Sequence, residues 1–211
     1  MAPAKDWDAW HDHYANPAST LSERLRLVQQ RISEWLDTNP GSVTILSSCS
    51  GDGRDLLEVL AARDDASRVA ATLIDADAAN VERAQRRIDR LNLNSVDVHC
   101  ADAGESDAYF GTVPADLVML CGIFGNLAEE DVARTIAAVP QLCSRNATVI
   151  WTRSRSGPDP IPGIRECFRR HGFTEEHFDA PEDSIYTVGV HRFGGTPMPL
   201  VPGQRLFTFM T

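Results

Sequence analysis

The sequence predicts an α/β protein: a mostly parallel sheet with helices on both faces and antiparallel strands at its C-terminal end. Three observations carry this. Short β-rich runs alternate with helical runs from residue 43 to residue 171. Parallel neighbours need helical crossovers, which return right-handed and cover both faces of the sheet. After residue 172 two strand-like runs follow one another with no helix between them, and such runs pair antiparallel.

Residues 20–37 read as an amphipathic helix. Leu21, Leu25, Val28, Ile32 and Trp35 recur at helical spacing, and Pro40-Gly41 stops it. After Ser42 the period changes, and Val43–Leu46 reads as a short buried strand. A glycine turn, Ser50-Gly51-Asp52-Gly53, leads into a helix from Arg54 to Ala62. The pattern then repeats: strand Val69–Ile74 ending at Asp75, helix Ala78–Leu91, and strand Val96–Cys100 ending near Asp102. Strand Ala115–Cys121 ends at Gly122; helix Ala128–Val139, strand Ala147–Trp151 and helix Ile161–His171 follow. Phe173–Phe178 and Ile185–Phe193 read as strands, and Arg205–Met210 is a candidate for one more. The Gly- and Pro-rich stretch 194–203 reads as a surface loop.

The chain has 211 residues, just above the ~100–200 residues common for one domain, so a single domain is expected, and it buries enough surface to fold without disulfides or a structural metal. We divide that domain, 1–211, into an N-terminal helical cap (1–40), a cofactor-binding core (41–155) and a C-terminal helix with antiparallel edge (156–211).

Thirty acidic residues oppose 20 basic ones, for a formal charge of −10. The densest basic cluster, Arg83-Ala-Gln-Arg86-Arg87, has Glu82 and Asp89 beside it and reads as a solvated helix face. Nucleic-acid binders show a basic face because phosphate contacts drive their affinity, so no nucleic-acid partner is expected. No apolar run approaches the ~20 residues of a membrane span, so no membrane partner is expected either. Met1–Trp10 carries acids and tryptophans and no basic-then-apolar leader, which points to the cytoplasm. The five cysteines, Cys49, Cys100, Cys121, Cys143 and Cys167, form no C-x-x-C pair and read as reduced thiols. His11-Asp-His13 is too isolated to predict a metal, and none is expected. A monomer or homodimer is expected.

In open α/β sheets ligands bind beyond the carboxyl ends of the strands, where strand order reverses. The first strand tip here is Ser47-Ser-Cys-Ser-Gly51-Asp-Gly53, where glycines let backbone approach a ligand and a helix N-terminus follows. The second tip is Asp75, 22 residues after Gly53, where an acid accepts from a ribose diol. The third carries Asp102, placed to accept from the exocyclic amine of an adenine. Three acids without a basic phosphate clamp favour a nucleoside lacking phosphates. The turn matches neither G-x-G-x-x-G nor a P-loop, which argues against a nicotinamide dinucleotide and against a nucleoside triphosphate. Each residue has a structural alternative: Gly51 and Gly53 also suit a tight turn, and Asp75 and Asp102 also suit helix N-caps. Their joint occurrence at three successive tips favours a ligand.

Residues 43–151 resemble the class I S-adenosylmethionine-dependent methyltransferases, whose Rossmann-like fold carries a seven-stranded sheet. Ile45-Leu-Ser-Ser-Cys-Ser-Gly-Asp-Gly-Arg-Asp-Leu56 is similar to that family's first motif, acid-x-Gly-x-Gly-x-Gly, with Ser47 in place of the acid and Cys49 in place of the first glycine. Ser47, Asp52 or a backbone carbonyl are the candidates to replace the acid's contact with the methionine ammonium. The resemblance implies that Asp75 binds the ribose hydroxyls, that Ala76 flanks the adenine, that Asp102 and Ala103 read its edge, and that Cys121-Gly122 lie under the sulfonium. Ser47, Cys49, Gly51, Asp52 and Gly53 complete the expected cofactor set.

Cys121-Gly-Ile-Phe124 stands where amine methyltransferases acting on nucleic-acid bases or glutamine carry Asn/Asp-Pro-Pro-Tyr/Phe; only the aromatic is retained. Phe124 is a candidate acceptor wall or a core residue. Asn126 is a candidate acceptor contact or an N-cap with Glu129 as its capping-box partner. Trp7, Trp10 and Tyr14 share one helix face with His11 beside it, as a lid over the cofactor or an aromatic staple onto the sheet; His11 and Tyr14 are candidate general bases. Arg153 and Arg155 follow the fifth strand and are candidates for bidentate recognition of an acceptor carboxylate.

The reading is a small-molecule methyltransferase using S-adenosylmethionine and releasing S-adenosylhomocysteine. Its acceleration would come from positioning for in-line displacement, worth up to ~7–11 kcal/mol. The alternatives are aminocarboxypropyl transfer or cyclisation with the same cofactor, a non-catalytic domain that keeps the fold, and a nicotinamide-dependent oxidoreductase.

Overall fold

The computed structural model of the protein describes residues 19–155, 159–182 and 184–210. Helix α1 (Thr20–Thr38) starts at Ser19, whose hydroxyl accepts from the Ser22 backbone N–H at 3.1 Å, a cap worth about 1 kcal/mol. Its apolar stripe buries Leu21, Val28, Ile32, Trp35 and Leu36. The chain continues through β1 (Val43–Ser48), α2 (Arg54–Ala61), β2 (Val69–Asp75), α3 (Ala78–Leu91), β3 (Val96–Cys100) and β4 (Ala115–Leu120). It ends with α4 (Glu129–Ala138), β5 (Cys143–Ser154), α5 (Ile161–Arg170), β6 (Phe173–Asp179) and β7 (Tyr186–Phe193).

One seven-stranded sheet runs in the order β3-β2-β1-β4-β5-β7-β6. Strands β1 to β5 pair in parallel, and β7 is antiparallel to both β5 and β6. The antiparallel strand is therefore second from the edge: α5 carries the chain out to β6, and β7 turns back into the gap. Helices cover both faces. On one, Val28, Ile32 and Leu36 of α1 join Leu57, Leu60 and Ala84 over Ile45 and Leu73. On the other, Ile136, Ile164 and Phe168 join Phe124 over Val118 and Trp151.

Two departures from the sequence expectation, at the start of β5 and in the C-terminal run, and one short crossover shape the chain path. β5 begins at Cys143 rather than Ala147. Its polar start, Ser144-Arg-Asn146, is irregular: the pairing with β4 shifts between Ala115 and Leu117, and Asn146 has φ 63°. Between β3 and β4, where the sequence marked no element, the crossover is a single 3-10 turn, Ser106–Tyr109. Arg205–Met210 is no eighth strand. It runs as an extended strap that touches other segments through two isolated bridges, Glu105 to Arg205 and Leu127 to Phe209.

Candidate active site

The carboxyl ends of β1 to β4 open into a cavity of about 470 Å³, within the size range of small-ligand sites. It lies where successive strands are laid down in opposite directions, toward β3 on one side of β1 and toward β5 on the other.

The turn after β1 forms one wall. Cys49, Gly51 and Gly53 have φ of 51°, 58° and 70°, the left-handed region. For Cys49 that costs about 1 kcal/mol, which glycine avoids. A Cβ on Gly53 would lie 2.4 Å from Leu73 Cδ2, so this glycine lets the turn pack directly onto β2. Gly53 does not line the cavity, and the tight-turn alternative accounts for it. Ser47 is also removed from the cavity: it is 2% exposed and sits inside the sheet, in register with Leu73 and Met119.

Asp75 lines the cavity and is 8% exposed. Its Oδ2 accepts from Gly51 N at 2.8 Å; its Oδ1 accepts from Asp77 N at 3.0 Å and Asn80 Nδ2 at 3.1 Å. A carboxylate has about four lone-pair directions, so one stays open to a ligand hydroxyl. The N-cap of α3 is Asp77, which accepts from Ala79 N at 2.8 Å.

Asp102 also lines the cavity. Its Oδ1 accepts from Gly104 N at 2.8 Å, and its Oδ2 from Arg205 Nη1 at 2.8 Å. Arg205 pairs with Glu105 as well and belongs to the strap, whose Arg205, Phe207, Thr208 and Phe209 close one side of the cavity. The strap is pinned by bonds from Leu206 N to Gly104 O (2.7 Å), Thr208 N to Asp131 Oδ2 (2.8 Å) and Met210 N to Asn126 O (2.9 Å).

After β4, Gly122 has φ 81°, donates its N–H to Thr152 Oγ1 at 2.8 Å and accepts from Asn126 Nδ2 at 2.8 Å. Asn126 lines the cavity and is no helix cap: the N-cap of α4 is Ala128, which makes no side-chain cap bond. Beside Gly122 the cavity is walled by Cys121, Arg24 of α1 and Asp55 of α2. Burial pushes the Asp55 carboxyl up to about 6, against the Leu56 N–H bond and the charge of Arg24. Burial likewise pushes the Cys49 and Cys121 thiols far up, so neither is a thiolate nucleophile at neutral pH.

Of the other expected residues, Cys49, Gly51, Ala76 and Ala103 line the cavity, as does Asp52. Burial works against the Asp52 carboxylate, but Arg54 (2.7 Å) and Arg87 (3.1 Å) grip it and hold it below its usual range, so it is committed to the turn. Of the three acceptor candidates Phe124, Arg155 and Arg153, the first two are engaged elsewhere. Phe124 is fully buried, its ring 6.0 Å from Trp151 and 6.3 Å from Phe168, and is a core residue. Arg155 spends its guanidinium on the carbonyls of Pro181 and Ser184, and so ties down the approach to β7. Arg153 lies outside the cavity walls, next to the turn holding Gly125 and Asn126. Trp10, His11 and Tyr14, with Trp7, lie outside the described residues.

Sequence reasoning missed Arg24, Ser50, Asp55, Asn80 and the strap as cavity walls. Asp55 carried a signal, standing in the first turn after the glycine turn. The strap carried only its apolar character, which suggested a strand.

No protein-family model matches the chain, and no curated protein matches it in sequence. Solved structures do. Magnesium protoporphyrin IX methyltransferase (ChlM) from Synechocystis PCC 6803, solved with bound SAM, superposes with a TM-score of 0.69 at 14% identity over 92% of this chain and 100% of that one. The fold is that of the class I S-adenosylmethionine-dependent methyltransferases. An O-methyltransferase family protein from Burkholderia thailandensis gives a TM-score of 0.68 at 16% identity over 88% of this chain, which spans 59% of that protein's chain. The pyocyanin biosynthetic protein PhzM gives 0.54 at 16% identity, over 72% of this chain and 51% of that one. Among the described residues no helix is long and apolar enough to cross a membrane.

Proposed function

We propose that this protein is an S-adenosylmethionine-dependent methyltransferase acting on a small-molecule acceptor. The observation that carries the reading is one cavity, at the strand-order reversal, that gathers the glycine turn, Asp75 and Asp102 on a methyltransferase fold. ChlM, of the same fold, was solved with SAM and with SAH. The residues present fit that cofactor. Asp75 keeps one acceptor direction for the ribose diol, and Ala76, Asp102 and Ala103 form the base end. The Ser50 hydroxyl is buried in the cavity wall with no hydrogen-bond partner among the described residues, as a ligand contact would leave it. Arg54 and Arg205 at the rim are engaged by Asp52 and Asp102, which favours a ligand without phosphates.

S-adenosylmethionine supplies a sulfonium methyl, already a strong electrophile. The chain's task is then to orient and to exclude water: the glycine turn and Gly122 bring backbone close, and the strap covers the base end. The surplus of acids, 30 against 20, supports a small acceptor over nucleic acid.

Calorimetry with S-adenosylmethionine, S-adenosylhomocysteine and NADH tests this. Micromolar binding of the adenosyl compounds without NADH is the expected result; binding of NADH alone overturns it. Release of S-adenosylhomocysteine, and not methylthioadenosine, from turnover distinguishes methyl transfer from aminocarboxypropyl transfer.

A further inference from the structure

We propose that Asp55 and Arg24 form a subsite for the amino-acid tail of the cofactor, with Asp55 taking the α-ammonium and Arg24 the α-carboxylate. The proposal rests on the methyltransferase reading above and names residues for the end of the cavity where the first motif carries Ser47 in place of an acid.

The cavity has two unlike ends. Asp75 and Asp102, at the tips of β2 and β3, form the end suited to an adenosine. The other end lies between the tips of β1 and β4, where Arg24, Asp55, Cys121 and Gly122 meet. An S-adenosyl compound spanning the cavity with its base at the first end puts its amino-acid tail at the second. That tail is a zwitterion, and burying it costs several kcal/mol per charge unless each charge meets a partner.

The motif acid expected to meet the ammonium is absent, and neither side chain first suggested as its replacement is available. Ser47 lies inside the sheet, away from the cavity, and Asp52 is gripped by Arg54 and Arg87. Asp55 is the acid left on that wall. The one hydrogen bond its carboxylate accepts from another described residue is from Leu56 N, at 3.0 Å, which leaves Oδ2 to a ligand. Its partner of opposite charge comes from a different element. Arg24 lies on α1, 8% exposed, over the Tyr186 ring at 5.4 Å, with Nη1 3.8 Å from where a Cβ on Gly122 would stand. Arg24, Asp55 and Cys121 line the same cavity, and the guanidinium charge bears on the other two. The acceptor function that the family pattern puts on β1 has thus moved to the first turn of α2.

The test compares ligands that differ only in the tail, measured by calorimetry on the full chain. Methylthioadenosine has the adenosine end without the amino acid; decarboxylated S-adenosylhomocysteine keeps the amine and lacks the carboxylate. The wild type should bind S-adenosylhomocysteine roughly 10–150-fold tighter than methylthioadenosine, the range of one charge-assisted hydrogen bond. Asp55→Asn should erase most of that advantage and leave methylthioadenosine affinity unchanged, which also reports that the variant is folded. Arg24→Gln should erase the preference for S-adenosylhomocysteine over its decarboxylated form. An unchanged preference in Asp55→Asn overturns the proposal, as does equal loss of both ligands, which would make Asp55 a support of the turn. Failure of the wild type to bind either ligand overturns the methyltransferase reading itself.

Discussion

Asp75 Oδ2 accepts the Gly51 N–H at 2.8 Å, so the tip of the second strand holds the glycine turn that follows the first. The acid expected to meet a ribose is therefore also a structural tie, and its other oxygen holds Asp77 N and Asn80. Asp75→Ala should weaken S-adenosylhomocysteine binding by ~1.5–3 kcal/mol and also lower stability, because the Gly51 donor and the buried Asn80 donor lose their acceptor. Asp75→Asn, which keeps a carbonyl oxygen, should recover part of the stability and little of the affinity. Calorimetry beside urea unfolding separates the two effects; full affinity in Asp75→Ala would remove Asp75 from the ligand site.

Gly104 is where the strap meets the tip of β3. A Cβ there would lie 2.5 Å from the Phe207 carbonyl oxygen and 2.9 Å from Arg205 Nη1. Gly104→Ala should lift the strap at a cost of about 1–3 kcal/mol, the usual range for overpacking. Hydrogen exchange reads this directly: the Leu206 and Met210 amides, bonded to Gly104 O and Asn126 O, should lose protection while β1 to β5 keep theirs. Protection retained at Leu206 would show that the strap tolerates the methyl group.

His191 makes stability fall in mild acid. Trp151 Nε1–H donates to His191 Nδ1 at 3.0 Å, and the imidazole stacks on Phe168 at 4.7 Å, so the ring is held neutral. Burial lowers its pKa from 6.5 to about 4, against the pull of Glu175. Below pH 6.5 the unfolded chain takes up a proton that the folded chain refuses until about pH 4. Stability from this residue is therefore full above that window and falls across it as pH drops, by up to about 3 kcal/mol. Asp55, raised from 3.8 to about 6, is ionised at neutral pH but takes up its proton at a higher pH in the folded chain than in the unfolded one, and so it works in the opposite sense. The comparison of wild type with His191→Phe isolates the histidine. The variant should be about 1–3 kcal/mol less stable at pH 7.5, from the orphaned Trp151 N–H, and should lose the histidine's share of the acid slope in urea unfolding at pH 5.

Arg153 is the remaining acceptor candidate among the described arginines. It is half-buried, its charge is disfavoured by desolvation, and Asp159 is the acid that acts on it. It makes no side-chain hydrogen bond or ion pair with a described residue, and its Nη1 lies 3.7 Å from where a Cβ on Gly125 would stand. If the acceptor is anionic, Arg153→Gln should raise its KM roughly tenfold or more and leave cofactor affinity alone, since a charged hydrogen bond is worth ~1.5–3 kcal/mol. Loss of both together would mark Arg153 as structural.

The element order and the location of the cavity were legible in the sequence because local chemistry dictates them. Apolar runs bounded by turn residues mark the strands, amphipathic runs mark the helices, and parallel crossovers leave the ligand site at the carboxyl edge. Asp75, Asp102 and the glycine turn were visible for the same reason, as they stand at strand tips. Tertiary structure alone decided which side chains remain open to a ligand. Phe124 and Arg155 have the right residue types and positions in sequence, yet one is spent on the core and the other on two carbonyls. Asp52 and Asp55 are three residues apart, one in the glycine turn and one in the first turn of α2; two arginines from different elements grip the first and leave the second facing the cavity. The strap closes the site through bonds between residues some 75 to 105 positions apart, as from Thr208 to Asp131 and from Arg205 to Asp102. No local pattern encodes such pairings, because they exist only once the sheet has brought the strand tips together.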